Sequence, residues 1–382
     1  MAKCPHSFQV FVKPTGPVCN MRCRYCYYLD KKKYYPGEKS FQMPGLLLEE
    51  YIVQHIEASS DEIIRFSWHG GEPTLLGLDF FRRVLELQNK HQPVGQLIVN
   101  GLQTNGLRLD NRWGEFLSRE KFSVGLSLDG PRELHDRYRR DRSGRSTFSQ
   151  TLRGYDILKK HGVSTDILCV VHEGNVRKPL EVYNFFKEIG ATYISFLPLV
   201  AREDPGRASK ESVPGEEWGD FLIRIFDQWV KEDIGRIKVQ IFEEAARWAF
   251  GLEHSLCIFR RTCGDIPVVE YNGDFYACDH YVDSRYCWGN IIETPLEELL
   301  MDPRQRSFGM EKEKGLPAYC RSCRVLAMCN GGCPRNRFVR APDGESGLNY
   351  LCPGYKKFFT HCLPFVDAVR SRWQKAGGSN RE

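Results

Sequence analysis

Along the first 200 positions the apolar residues fall into two alternating textures. Short runs rich in Val, Ile, Phe and Leu occur at Phe8–Lys13, Ile63–Trp68, Gln96–Gly101, Phe122–Leu128, Ser164–Val171 and Thr192–Pro198. Runs of this length and composition predict buried strands. Between them, Leu46–Ala58, Leu78–Lys90, Asn111–Arg119, Phe148–His161 and Lys178–Ile189 carry helical patterns. Strand-then-helix units in succession predict a parallel sheet, because parallel strands need crossover connections. In such folds ligands gather at the carboxyl ends of the strands.

The pattern then breaks. Residues 201–215 form a polar connection with Pro205-Gly206 and Pro214-Gly215, and a helix is expected from Trp218 to Lys231. Beyond about residue 250 the chain turns rich in Cys and Gly, with short elements. The fold class expected is α/β: a body at 1–235, a small cysteine-rich domain at 236–370 and a disordered tail at 371–382. No internal repeat of fixed period is present.

Composition narrows the function classes. Of the 382 residues, 41% are hydrophobic and 27% charged, as in ordinary globular proteins. A net charge of +5 is too mild to imply a nucleic-acid surface. The basic stretches Lys31-Lys32-Lys33 and Arg137–Arg142 are expected to be solvated or anion-facing. No apolar run is long enough to span a membrane, and the start lacks the apolar stretch of a signal peptide. The expected location is the cytoplasm, where disulfides are rare and patterned cysteines bind metal or do redox work. Fifteen cysteines need that explanation. Only Cys4, Cys169, Cys287 and Cys362 stand outside patterned groups.

The sharpest pattern is Cys19-Asn20-Met21-Arg22-Cys23-Arg24-Tyr25-Cys26, directly after the first predicted strand. Three thiolates so spaced can hold three irons of a four-iron cluster and leave one iron open for a small molecule. A zinc site with a distant fourth ligand is the alternative, although structural zinc sites usually pair cysteines in two couples. Further strand ends carry Gly and polar residues: Trp68-His69-Gly70-Gly71-Glu72-Pro73, Gln103-Thr104-Asn105-Gly106 and Ser127-Leu128-Asp129-Gly130. Each alone is a turn; together they outline a ligand mouth. Downstream stand Cys257, Cys263 and Cys278, then Cys320, Cys323, Cys329, Cys333 and Cys352. Eight cysteines equal two four-thiolate sets, for iron clusters or for zinc.

With these motifs the chain resembles the radical S-adenosylmethionine enzymes, and its second half resembles their SPASM domain. The resemblance implies a partial (β/α)6 barrel, three [4Fe-4S] clusters and S-adenosyl-L-methionine. The open iron at Cys19, Cys23 and Cys26 would chelate the methionine group, and reductive cleavage would yield a 5′-deoxyadenosyl radical. By the same resemblance Tyr25 would shield the cluster or touch the ligand, and Gly71 and Glu72 would face the methionine amino group. Ser127 and Arg139 would face its carboxylate or the ribose, and Val200 would line the adenine. Cys257, Cys263, Cys278 and Cys333 would hold a nearer auxiliary cluster, and Cys320, Cys323, Cys329 and Cys352 a farther one.

Within that group the stretches Val268–Asp279, Cys329-Asn330-Gly331-Gly332-Cys333-Pro334 and His135–Arg139 are most similar to the anaerobic sulfatase-maturating enzymes. Such enzymes oxidise a Cys or Ser within a Cys/Ser-x-Pro/Ala-x-Arg segment of a sulfatase to Cα-formylglycine, with reduced flavodoxin or ferredoxin as electron donor. Asp279 is then the expected base, with its pKa raised by burial and by the cluster's negative charge. Two departures stand out: His69 where Gln is usual, and Cys287, expected to be a small buried residue. A maturase forming thioether or carbon–carbon crosslinks would share every cysteine. Such enzymes often carry an extra domain before the first strand, for which residue 8 is expected to leave no room. A non-catalytic iron–sulfur or zinc scaffold would leave Gly71, Glu72, Ser127 and Arg139 without a purpose.

Overall fold

The computed structural model describes residue 4 and residues 7–203 and 206–375. It contains the strands β1 (Phe11–Lys13), β2 (Ile63–Trp68), β3 (Leu97–Thr104), β4 (Ser123–Ser127) and β5 (Thr165–Val171). These are followed by β6 (Tyr193–Pro198), β7 (Lys238–Val239), β8 (Val268–Glu270), β9 (Asp274–Tyr276) and β10 (Cys287–Asn290). Six of these match the runs expected from the apolar pattern. The expected division near residue 235 follows the order of motifs, whereas the compact units interleave along the chain. One unit gathers the chain through Leu128 with Tyr138–Thr165 and Gly264–Gly309; the other holds Asp129–Arg137, Asp166–Cys263 and the chain from Met310. Of the expected tail, residues 371–375 close the last helix, Cys352–Lys375, and 376–382 lie outside the described residues.

In the first unit β1 to β4 pair side by side in parallel. On its other edge β1 pairs in parallel with β8, in the register Phe11↔Val268, Val12↔Val269 and Lys13↔Glu270. The antiparallel β9 and β10 continue that edge. Alternation within β2 explains its core: Ile64, Phe66 and Trp68 are buried. They meet helix Gly45–Ala58 through Tyr51, Ile52 and Ile56, spaced to share one helical face. Helix Asn111–Arg119 begins where Asp110 accepts a hydrogen bond from the Trp113 amide at 3.0 Å.

The second unit pairs β5, β6 and β7 in parallel. Helices Gly215–Glu232, Gln240–Ala249 and Cys352–Lys375 pack through interleaved aromatics, with Phe226 set edge-on to Phe242, Phe358 and Phe365. Among the described residues no helix is long and apolar enough to cross a membrane.

Candidate functional site

The three-cysteine loop leaves the carboxyl end of β1 and is held along its length by its own unit. The Arg22 amide donates to the Arg140 carbonyl and the Arg24 amide to the Tyr138 carbonyl, both at 2.9 Å. Part of the basic run Arg137–Arg142 therefore backs this loop rather than facing only solvent. The Met21 amide points at Cys19 Sγ at 3.3 Å, and Asn105, just past β3, reaches the same sulfur at 3.6 Å. Burial pushes the Cys19 thiol up to about 12, and Glu72, Cys23 and Cys26 add to it. A buried thiol flanked by two others ionises only beside positive charge, which iron supplies. The loop thus fits a thiolate-held cluster.

The Gly-Gly-Glu turn after β2 packs directly on that loop. The Gly71 amide donates to Gly16 O at 3.0 Å and the Glu72 amide to Val18 O at 2.9 Å. A Cβ on Gly71 would lie 1.9 Å from the Val18 carbonyl oxygen, so only glycine fits. The buried Glu72 carboxylate accepts from Thr74 N and Oγ1, from Thr104 Oγ1 at 2.7 Å and from Asn105 N at 2.8 Å. Its side chain therefore clamps the ends of β2 and β3. Ser127, half-buried, closes β4. Arg139, buried, donates to the Tyr25 hydroxyl at 2.7 Å, so two residues expected near the ligand stand together. Val200 is buried just past β6, in the second unit.

Asp279 follows Cys278 and sits in a charged nest that the sequence did not announce. Lys13, buried at the end of β1, meets its carboxylate at 2.7 Å, and the Tyr27 hydroxyl donates to it. Burial acts to raise the Asp279 pKa, but Lys13, His280 and the Tyr27 bond outweigh it and hold the carboxyl well below its ordinary range. The expectation of a raised pKa is corrected: it considered burial and the cluster's charge and lacked Lys13. Beside this pair Glu270, fully buried, accepts from the Tyr28 hydroxyl at 2.7 and 2.9 Å. Burial raises Glu270 to about 7 against the lowering by Tyr28 and Lys13. His69 stacks on Phe11 with ring centroids 4.0 Å apart, and burial, with Lys13, lowers its pKa to about 3. It is thus a neutral ring at the edge of the nest. Cys287, half-buried, opens β10 opposite Tyr276.

In the second unit Cys320, Cys323, Cys329 and Cys352 line one cavity with Tyr319, Asn349 and Lys356. Burial raises Cys329 to about 12 and Cys352 to about 11, each worsened by neighbouring thiols. The same unit places Cys257, Cys263 and Cys333 around the buried Lys312, whose charge opposes the burial of Cys263 and Cys333. The run Asn330-Gly331-Gly332 between Cys329 and Cys333 turns through positive φ at all three residues. This is a hairpin of chain that side chains rarely allow. Cys278 lies in the first unit, past β9. None of the fifteen cysteines is joined in a disulfide, and among the described residues no group of three or more His, Cys, Asp or Glu is arranged around a single metal ion.

Known proteins agree with this chemistry. Residues 14–186 match the model of the Radical SAM superfamily, and residues 261–324 match SPASM, an iron–sulfur cluster-binding domain. The fold and the thiol sets define a radical S-adenosylmethionine enzyme with a SPASM domain, a class that binds iron–sulfur clusters and S-adenosylmethionine. A serine-type anaerobic sulfatase-maturating enzyme of Bacteroides thetaiotaomicron is 43% identical over 94% of this chain and 91% of its own length. A cysteine-type enzyme of Clostridium perfringens is 34% identical over 93% and 96%. A solved structure of native anSMEcpe with bound AdoMet and Cp18Cys peptide superposes with a TM-score of 0.85, at 33% identity, covering 95% of this chain and 99% of that one. The chain belongs to the anaerobic sulfatase-maturating enzymes.

Proposed function

We propose that this enzyme oxidises one Cys or Ser of a sulfatase polypeptide, within a Cys/Ser-x-Pro/Ala-x-Arg segment, to Cα-formylglycine. Its relationship to such enzymes along nearly the whole chain is the observation that carries the reading. S-adenosylmethionine at the first cluster supplies hydrogen-atom abstraction, and the auxiliary clusters supply a sink for the second electron. Cys19, Cys23 and Cys26 hold the first cluster. Cys257, Cys263, Cys278 and Cys333 hold the nearer auxiliary cluster, and Cys320, Cys323, Cys329 and Cys352 the farther one. Gly71, Glu72, Ser127, Arg139, Tyr25 and Val200 surround S-adenosylmethionine.

Abstraction of one hydrogen atom from Cβ leaves one proton on sulfur or oxygen and one electron to be removed; from Ser this yields the aldehyde, and from Cys a thioaldehyde that water hydrolyses to the aldehyde with release of sulfide. Asp279 is the carboxylate for that proton, acceptor-only when ionised and held in place by Lys13 and Tyr27. Reduced flavodoxin or ferredoxin feeds the first cluster, and the cytoplasm is the compartment that keeps fifteen cysteines out of disulfides.

The test offers S-adenosylmethionine and paired Cys and Ser versions of a sulfatase-motif peptide to the reconstituted enzyme under anaerobic conditions. Mass spectrometry is expected to show the aldehyde; a crosslinked peptide would defeat the reading. Asp279→Asn is expected to keep cleavage of S-adenosylmethionine and lose aldehyde formation by about 10²–10⁴-fold. A loss under tenfold would remove Asp279 from its role.

A further inference from the structure

Two cations lie within the second unit with only backbone carbonyls as hydrogen-bond partners. The Lys312 side chain is fully buried, and its ammonium donates to Cys257 O at 2.6 Å and Ile258 O at 3.0 Å. Arg337, half-buried, donates through Nε to Gly331 O at 3.0 Å, through Nη1 to Lys312 O, and through Nη2 to Asn330 O at 3.0 Å and Gly332 O at 3.4 Å. Among the described residues neither cation meets a carboxylate. A buried charge without a counter-charge is strongly disfavoured.

What stands near them is sulfur. Lys312 feels the thiols of Cys263, Cys257 and Cys333. Arg337 feels Cys263 and Cys333 from that set, and Cys320 and Cys329 from the other. Once ionised and joined to iron, each four-thiolate set carries net negative charge, which is the missing counter-charge.

We propose that Lys312 and Arg337 are the built-in counter-charges of the auxiliary clusters and set their reduction potentials. Lys312 acts on the cluster at Cys257, Cys263 and Cys333, and Arg337 acts on both clusters. Reduction adds negative charge to a cluster. A fixed positive charge in a low-dielectric surround stabilises the reduced form and raises the potential. The nearer cluster is thereby made a better electron acceptor. The inference rests on the eight downstream cysteines holding two clusters, and not on which peptide is oxidised.

The test uses the full-length, anaerobically reconstituted enzyme, with iron and sulfide counted before each redox titration followed by electron paramagnetic resonance. The first cluster's signal is recognised by its change on adding S-adenosylmethionine. Lys312→Met is expected to lower the reduced-to-oxidised ratio of one auxiliary cluster at least tenfold at fixed potential, 59 mV for a one-electron couple. Arg337→Gln is expected to shift both auxiliary midpoints downward. Lys312→Arg, which keeps the charge, should titrate like the parent. Unchanged midpoints in a fully loaded Lys312→Met enzyme overturn the proposal, as does an equal shift in Lys312→Arg. If Lys312→Met cannot be loaded, the two midpoints of Arg337→Gln decide in the same way. A parent enzyme holding iron for fewer than three clusters would instead overturn the two-cluster reading, and the inference with it.

Discussion

Lys13 shows how much a single side chain organises. Its ammonium sits 2.7 Å from Asp279 and over the Tyr28 ring at 4.9 Å, and Tyr28 in turn binds Glu270. Removing it leaves Asp279 without its cation in a confined place, where breaking a buried pair costs about 3–5 kcal/mol. Lys13→Met is therefore expected to be destabilised by that order in chemical denaturation. Displacing Asp279 by about an ångström should also slow aldehyde formation about 10²-fold. Full aldehyde yield from this variant would mean that Lys13 does not position the base. Glu270 makes a separate pH prediction. Its folded pKa, about 7, lies above the ordinary carboxylate value. The folded state thus binds the extra proton, and the Glu270 contribution to stability is lost as pH rises from about 4.5 to 7. Buried His55 and His172 and half-buried His69, whose pKa values fall to about 3, act in the opposite direction over the acid range. The comparison must therefore be with Glu270→Gln, which keeps an acceptor for Tyr28. The parent is expected to lose stability relative to this variant between pH 5 and pH 7. A pH-independent difference would show that Glu270 has an ordinary pKa.

At the scale of elements, β2 was legible to the residue, and β3 to β6 within a few positions, because each is a continuous apolar run between turn residues. Strands β8 and β9 have three residues apiece, too few to show a period, and neither was anticipated. Their cost to the reading was high. The β1–β8 register sets Lys13 beside Glu270, and β9 leads into Cys278 and Asp279. Cysteine spacing could offer candidate ligands because the thiols recur at short intervals, but the partner of Asp279 arrives by a pairing between distant strands. Gly71, in contrast, was visible as a motif while its reason was not. Its Cα lies so close to Val18 that a methyl group would strike backbone, which cannot swing aside. Gly71→Ala is therefore expected to displace the loop that opens at Cys19. The variant should lose the iron of one cluster and at least tenfold in 5′-deoxyadenosine production, while both auxiliary clusters load normally. Normal iron and normal cleavage would place the tolerance for that methyl group higher than the packing implies.

Across the molecule, the two units differ in what holds them. The first has an extended apolar core built from β1 to β4, β8, β9 and their helices, with Trp68, Phe66 and Phe81 at its centre. The part of the second unit around Cys320 to Cys352 has a small cluster of Leu316, Ala341 and Leu348 beside Cys320, with Val325, Met328 and Leu351 also buried there. A segment this short buries little apolar surface of its own, and domains of that kind are commonly completed by metal. Cluster assembly would add binding energy that exists only in the folded state, and the net negative charge of the thiolate-held clusters would neutralise Lys312 and Arg337. Removing iron leaves those charges uncompensated at several kcal/mol each. At roughly 2–4 °C per kcal/mol, that corresponds to a fall in Tm of about 10–20 °C. The loss should be uneven. In hydrogen exchange, amides of residues 316–352 are expected to lose protection on chelation, while those of β2 and β3 stay protected. Equal loss in both places would mean that the clusters stabilise the chain as one cooperative body, and equal retention would mean that the apolar packing around Leu316 suffices without them.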